Sequence, residues 1–349
     1  MLRNLAKNGL AISIGLLIGF ILIELLLHIY NPLPSRIRGN KILLKANLRQ
    51  EIQISPPIPG LDSLIVHSVN SLGFRGPEPP KNLAERFSIF VVGGSTTECS
   101  KLTDEKTWPA ILGKQLGQYD PNIWLNNAGI DGCSTYGHEI LLDDYLLEIR
   151  PDMILFLIGV NDRGKASFDD ETGFLINENE SLFTRLLKRS EVINLISNLQ
   201  RAYQAHAVDL GHHLEPKEKP EMTPGEKQAD LKRHLDYLPK YEKRVVTLVE
   251  KCLHAGIGPV LITQPLLDDP ASHGWAVMEL YNDVTRKVAS QYQVLLIDLA
   301  TKLEKNPAYY YDNMHYTNLG AEVVGNKVFE DIKQYLTATD SSKVNKVGE

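Results

Sequence analysis

Five short apolar runs, each closed by a polar or glycine-rich break, constrain this chain more than any other feature. They are Phe87 to Val92, Ile123 to Asn127, Met153 to Ile158, Val260 to Thr263 and Val294 to Leu299. Between them, Trp108 to Leu116, Tyr136 to Ile149, Tyr241 to His254 and Trp275 to Tyr292 carry helical patterns, and a last one spans Leu319 to about Leu336. Short buried strands alternating with helices predict an α/β fold: a five-stranded parallel sheet with helices on both faces. In an open sheet of that kind, ligands bind beyond the carboxyl ends of the strands, so the breaks matter as much as the runs.

Composition narrows the partners. A hydrophobic share of 43% and a charged share of 23% are ordinary for a globular protein and allow a substantial core. The net charge is -6 and no long basic stripe interrupts the chain, which argues against nucleic acid as a partner. Cys99, Cys133 and Cys252 are scattered and odd in number, so they make neither a disulfide framework nor a paired zinc site.

The N-terminus is uncharged and largely aliphatic from Gly9 to Ile23, and Leu25 to Tyr30 continue it after Glu24. Counted through Tyr30, this is the length of a bilayer-crossing helix. Arg3 and Lys7 also suit a signal peptide, but no small-x-small cleavage site follows Tyr30-Asn31-Pro32. A core helix would show a polar face, and none is visible before Glu24. We therefore expect a single-pass membrane anchor over residues 1–31, with Glu24 and His28 at headgroup level or facing a partner helix. The basic residues after the anchor, Arg36 to Arg49, place the following domain in the cytoplasm by simple count; a short basic head on a lone anchor favours export. The expectation adopted is an extracytoplasmic domain.

Residues 32–86 are proline-rich and read as a tether or wrapping segment. Residues 87–337 form the α/β domain, with an inserted cap at about 163–239 that contains an apparent helix, Leu182 to Gln200, and the charged stretch Glu215 to Pro220. Residues 338–349 are polar and read as a disordered tail.

Four polar breaks carry chemistry. Ser95 follows the first strand in Gly93-Gly94-Ser95-Thr96-Thr97, Gly132 follows the second, and Asn161 follows the third in Gly159-Val160-Asn161-Asp162. Asp312 and His315, three residues apart, come after the fifth. Strand order alone gathers these residues on one rim. Ser95 would be the nucleophile, His315 its general base, and Asp312 the carboxylate that orients the imidazole. The Ser95 and Gly132 amides and the Asn161 side chain would donate to an oxyanion. Each piece has a plainer reading as a turn, a cap or a packed histidine; order and spacing together favour catalysis. His206, His212 and His213 lack a carboxylate or cysteine at ligand spacing, and His138-Glu139 lacks a second zinc-protease histidine, so neither a metal nor a cofactor is expected.

Ser95, Gly132, Asn161 and His315, in that order, resemble the four blocks of the SGNH (GDSL-like) hydrolases. The resemblance runs from about Phe87 to Leu336, and Asn70-Ser71-Leu72-Gly73-Phe74-Arg75-Gly76 is similar to a stretch found before the first block in membrane-anchored bacterial members. It implies a flavodoxin-like three-layer domain that hydrolyses or transfers acyl esters without a metal. One departure is plain: the usual Gly-Asp-Ser is Gly93-Gly94-Ser95 here, so the aspartate that normally helps hold the nucleophile loop is missing. The expected function is a membrane-tethered serine esterase acting on acyl (acetyl) esters of glycans or lipids. The alternatives are acyl transfer to a polysaccharide hydroxyl and a non-catalytic binding protein of the same fold.

Overall fold

The computed structural model describes residues 2–29, 37–38, 41–165, 190–193, 195–196, 199 and 222–346. The chain divides into two compact units, Met1–Leu43 with Thr172–His212, and Leu44–Glu171 with His213–Glu349.

In the first unit, helix α1 (Leu2–Ile29) contains a stretch, Lys7–Ile29, long and apolar enough to cross a membrane, and its apolar side chains lie exposed. Glu24 finds a partner segment: its carboxylate accepts from Ser190 Oγ at 2.8 Å and from the Val192 amide at 3.2 Å. His28 Nδ1 lies 3.9 Å from the Glu191 carboxylate.

The second unit holds the sheet. Its strands are β3 (Phe87–Gly93), β4 (Ile123–Asn127), β5 (Met153–Leu157), β6 (Gly258–Ile262) and β7 (Leu295–Ile297), all parallel, in the spatial order β4-β3-β5-β6-β7. This is the flavodoxin-like order, and its switch point lies at β3, where the chain leaves on one side for β4 and returns on the other for β5. The central strands are almost wholly apolar because both faces are covered; the buried Ser88 of β3 is bonded through its amide and hydroxyl to Asp152 Oδ2 at 2.7 and 3.1 Å. Along β3, Ile89 and Val91 enter one core with Leu112 and Leu116 of α3 (Trp108–Tyr119) and Val324, Val328 and Ile332 of α8 (Asn318–Lys346). Phe90 points the other way, edge-on to Phe74 and Trp124. Each such fully buried aliphatic or aromatic side chain contributes about 1.5–3 kcal/mol.

The second face carries α4 (Thr135–Leu141), α6 (Pro224–His254) and α7 (His273–Tyr292). The α4 helix runs on through a wide π turn, Leu142–Leu146. Tyr241 of α6 and Tyr281 of α7 meet edge to face with centroids 5.0 Å apart, and both are fully buried. The strand expectations hold to within a residue or two.

Three expectations change. First, α6 begins at Pro224, so the boundary set at 239 moves. Thr223 and Glu226 form a capping box with Pro224 in the first turn. Pro239 sits inside the helix on its exposed side, where the Leu235 carbonyl it leaves unbonded lies on a residue that is itself exposed. Most of the rest of the expected cap, including Leu182 to Arg189 and Glu215 to Pro220, lies outside the described residues. Second, α8 extends to Lys346 through much of the tail expected to be disordered. Its polar composition removes the apolar stripe that reveals a helix in sequence, but not the propensity to continue one. Third, segment 32–86 is more than a tether. It contains an antiparallel pair, β1 (Leu48–Gln53) and β2 (Leu64–Val69), whose Ile65 is fully buried with Ile54 and Ile58.

Candidate active site

The breaks after β3, β4 and β5 meet at the switch point. Ser95 opens a one-turn helix, α2 (Ser95–Glu98), directly after β3 and is 7% exposed. Its Oγ lies 2.7 Å from His315 Nε2. His315 Nδ1 lies 2.6 Å from Asp312 Oδ2, and the Met314 and His315 amides donate to Asp312 Oδ1 at 2.9 and 2.7 Å. Asp312 thus binds ring and backbone of its own turn, which fixes the imidazole with Nε2 towards the serine. Burial alone would raise the Asp312 pKa; the hydrogen bond and charge of His315, with the two amides, outweigh it and hold the carboxyl below its ordinary value.

The loop after β4 is bound to the turn that carries Ser95. Asn127 Nδ2 donates to the Thr97 carbonyl at 2.8 Å, the Ile130 amide donates to the Gly93 carbonyl at 3.0 Å, and the Asp131 amide donates to the buried Glu98 carboxylate. Gly132 comes next with φ +69, in the left-handed region, and open space where its Cβ would be. Among the described residues, neither the Ser95 nor the Gly132 amide donates a hydrogen bond.

Asn161 follows β5 in the first turn of α5 (Val160–Lys165). Its Nδ2 donates to the Cys133 carbonyl at 2.9 Å, beside Gly94. The adjacent Asp162 points inward instead, fully buried, and accepts from the Thr135 amide at 3.0 Å and from the Thr135 hydroxyl. Arg244 of α6 closes this cluster, donating to Thr135 Oγ1 at 2.7 Å and to Tyr237 OH at 2.6 Å and reaching Asp162 Oδ1 at 3.4 Å. The start of α5, and with it Asn161, is therefore tied to α4 and α6.

All five residues singled out in the sequence thus lie on the same rim. Ser95, His315 and Asp312 are joined by hydrogen bonds, and Asn161 packs against Gly94 in the turn that carries Ser95. Sequence reasoning missed the supports. The Tyr311 ring stacks on His315 at 5.5 Å between centroids and 10° between planes, and the Lys101 ammonium lies 5.2 Å from the Tyr311 ring centroid. Trp108 Nε1 donates to the Thr96 carbonyl at 2.9 Å, and Thr96 Oγ1 donates to Gln264 Oε1 at 3.0 Å. Only the adjacency of Tyr311 to Asp312 could have drawn notice beforehand.

A model of the GDSL-like lipase/acylhydrolase family matches residues 91–323. The chain belongs to this family. It is accordingly a hydrolase acting on ester bonds, and the resemblance read from the four blocks is correct. An arylesterase from Vibrio mimicus is 24% identical over 181 residues, 51% of this chain and 82% of that one. Among solved structures, an acetyl xylan esterase is similar at 17% identity and TM-score 0.46, covering 70% of this chain and 98% of its own. An acetylxylan esterase from Geobacillus stearothermophilus is similar at 15% identity and TM-score 0.45, covering 70% and 93%. Within this GDSL-like chain the turn that carries Ser95 is held by contacts from Asn127, Trp108 and the Asp131 amide.

Proposed function

We propose that this GDSL-like hydrolase is a membrane-tethered serine esterase whose triad is Ser95, His315 and Asp312. The observation that carries the reading is the unbroken chain from Ser95 Oγ through His315 to Asp312, with links of 2.7 and 2.6 Å. His315 Nε2 takes the Ser95 proton as Oγ attacks the acyl carbonyl carbon, and Asp312 steadies the imidazolium. The oxyanion is held by the Ser95 and Gly132 amides and the second N–H of the Asn161 carboxamide, each donor lowering the barrier by about 3–4 kcal/mol. Collapse breaks the bond to the alcohol oxygen, which takes its proton from His315. Water then repeats the sequence on the acyl-serine and releases the acid.

The substrates proposed are acetyl or other short acyl esters of glycans or lipids near a membrane; the arylesterase relative supports an ester substrate. The exposed apolar stretch Lys7–Ile29 supports a tether, and its short basic head supports an extracytoplasmic domain. The reading is tested with the full-length protein in detergent, by following p-nitrophenyl ester turnover against chain length. Activity abolished in both Ser95→Ala and His315→Ala supports the triad; activity that survives Ser95→Ala would refute it.

A further inference from the structure

The segment Asn70–Gly76, which resembles a stretch of membrane-anchored relatives, has no place in the chemistry above, yet it ends directly behind the nucleophile turn. We propose that Arg75 is a positioning residue that clasps this turn and keeps Ser95 in line with His315; the inference rests on the reading of Ser95 as nucleophile.

Arg75 is 4% exposed. Its Nη1 donates to the carbonyls of Glu98 at 2.7 Å and Cys99 at 2.8 Å, its Nη2 donates to the Leu102 carbonyl, and its Nε donates to Asp104 Oδ1 at 2.8 Å. The first two carbonyls end the helix that Ser95 begins. Carbonyls at a helix end have no partner within the helix, and a one-turn helix depends on contacts from outside it. Cys99, its last cap, is held at φ +53, a left-handed conformation that residues with a Cβ rarely adopt. The guanidinium donates to both carbonyls in that strained geometry, and the Cys99 carbonyl also accepts from the Leu102 amide at 2.9 Å. A fixed fork of donors can serve several carbonyls at once, whereas a lysine ammonium is a point charge on a flexible stem.

The segment is built to deliver this one side chain. Asn70 Oδ1 accepts from the Leu72 and Phe74 amides, and Gly73 at φ +82 closes the turn. Phe74 plugs the core against Phe90, with ring centroids 5.2 Å apart. Arg75 then exchanges both backbone hydrogen bonds with Asn127 at the end of β4, at 3.0 and 2.9 Å. Asp104, the counter-charge, also accepts from the Ser68 amide at 3.1 Å and from the Ser68 hydroxyl, which ties β2 to the same point. A cavity of about 260 Å³ borders Arg75 and Asp104.

The test uses full-length protein in detergent with Arg75→Lys and Arg75→Ala, compared below their melting temperatures. For folded Arg75→Lys we expect kcat for p-nitrophenyl acetate to fall about 10²-fold, the effect of a displacement on the order of 1 Å, with KM little changed. The rate of fluorophosphonate labelling at Ser95 should fall by the same factor. Added guanidinium, but not methylammonium, should restore part of the Arg75→Ala activity. If Arg75→Lys lowers the melting temperature and leaves kcat and the labelling rate unchanged, Arg75 is only structural and the proposal is overturned. Should Arg75→Ala not fold, Arg75→Lys decides alone. If the wild-type protein is not labelled at Ser95, the nucleophile reading fails first and takes this proposal with it.

Discussion

The Asn161 carboxamide nitrogen occupies the space that a Cβ on Gly94 would need. The glycine that departs from the Gly-Asp-Ser pattern therefore leaves the room that the Asn161 carboxamide takes. This contact accounts for the substitution that a non-catalytic reading would rest on.

Gly94→Ala should push Asn161 away from its bond to the Cys133 carbonyl and out of line with the oxyanion. The expected result is a kcat lower by about 10²–10³-fold, the effect of losing one oxyanion donor. KM for a small ester should change little, because the ground-state carbonyl makes weaker use of that donor. Steady-state kinetics of Gly94→Ala beside Asn161→Ala checks this, and the two losses should not add.

Asp312→Asn should leave the fold intact and reduce kcat by about 10⁴-fold, because the amide no longer enforces the tautomer that presents a bare Nε2 to Ser95. Its carboxyl pKa is depressed in the folded protein, so the stability it adds is fully present above its ordinary value of 3.8 and is lost as pH falls through the folded value. Denaturant melts of the variant should accordingly show a shallower acid-side decline than the wild type.

His138 lies 1% exposed on α4, and neither ring nitrogen has a hydrogen-bond partner of ordinary geometry. Burial pushes its pKa down from 6.5 to about 4, with the Gly93 backbone pulling weakly the other way. Between these values the unfolded chain binds the proton and the folded one does not. Stability is therefore greatest above pH 6.5 and falls by up to about 3 kcal/mol as the pH drops towards 4. Urea titrations across that window should show the slope in the wild type, and His138→Leu should flatten it.

Arg244→Met should destabilise the protein by about 3–5 kcal/mol, because it leaves the Asp162 carboxylate buried without its counter-charge. Burial already raises the Asp162 pKa, against the pull of Arg244 and Thr135. Arg244→Met combined with Asp162→Leu should recover much of the loss, and a double-mutant cycle from thermal melts measures the coupling. Both variants should also lower kcat, since Asp162 sets the first turn of α5 that carries Asn161.

The sheet was legible in the sequence because its central strands are buried on both faces: Phe87 to Val92 and Met153 to Ile158 are apolar without alternation. The placement of Ser95, Gly132 and Asn161 followed from it, since all three stand where strands end. Less legible were features whose cause lies in tertiary contact. Pro239 signals a break, yet the helix passes it with Pro239 and Leu235 both on its exposed side. Arg75 sits in a stretch crowded with prolines and glycines, and nothing local shows that its side chain ends on carbonyls 23 to 27 positions later. Gly94 reads from sequence as a lost support, and only the Asn161 contact gives it a reason.

The most direct test of the central claim is to treat the full-length protein with a fluorophosphonate and map the adduct by peptide mass spectrometry. The account predicts one stoichiometric adduct on Ser95, abolished in His315→Ala. An unmodified Ser95 in folded protein, or an adduct on another residue that persists in Ser95→Ala, would contradict it.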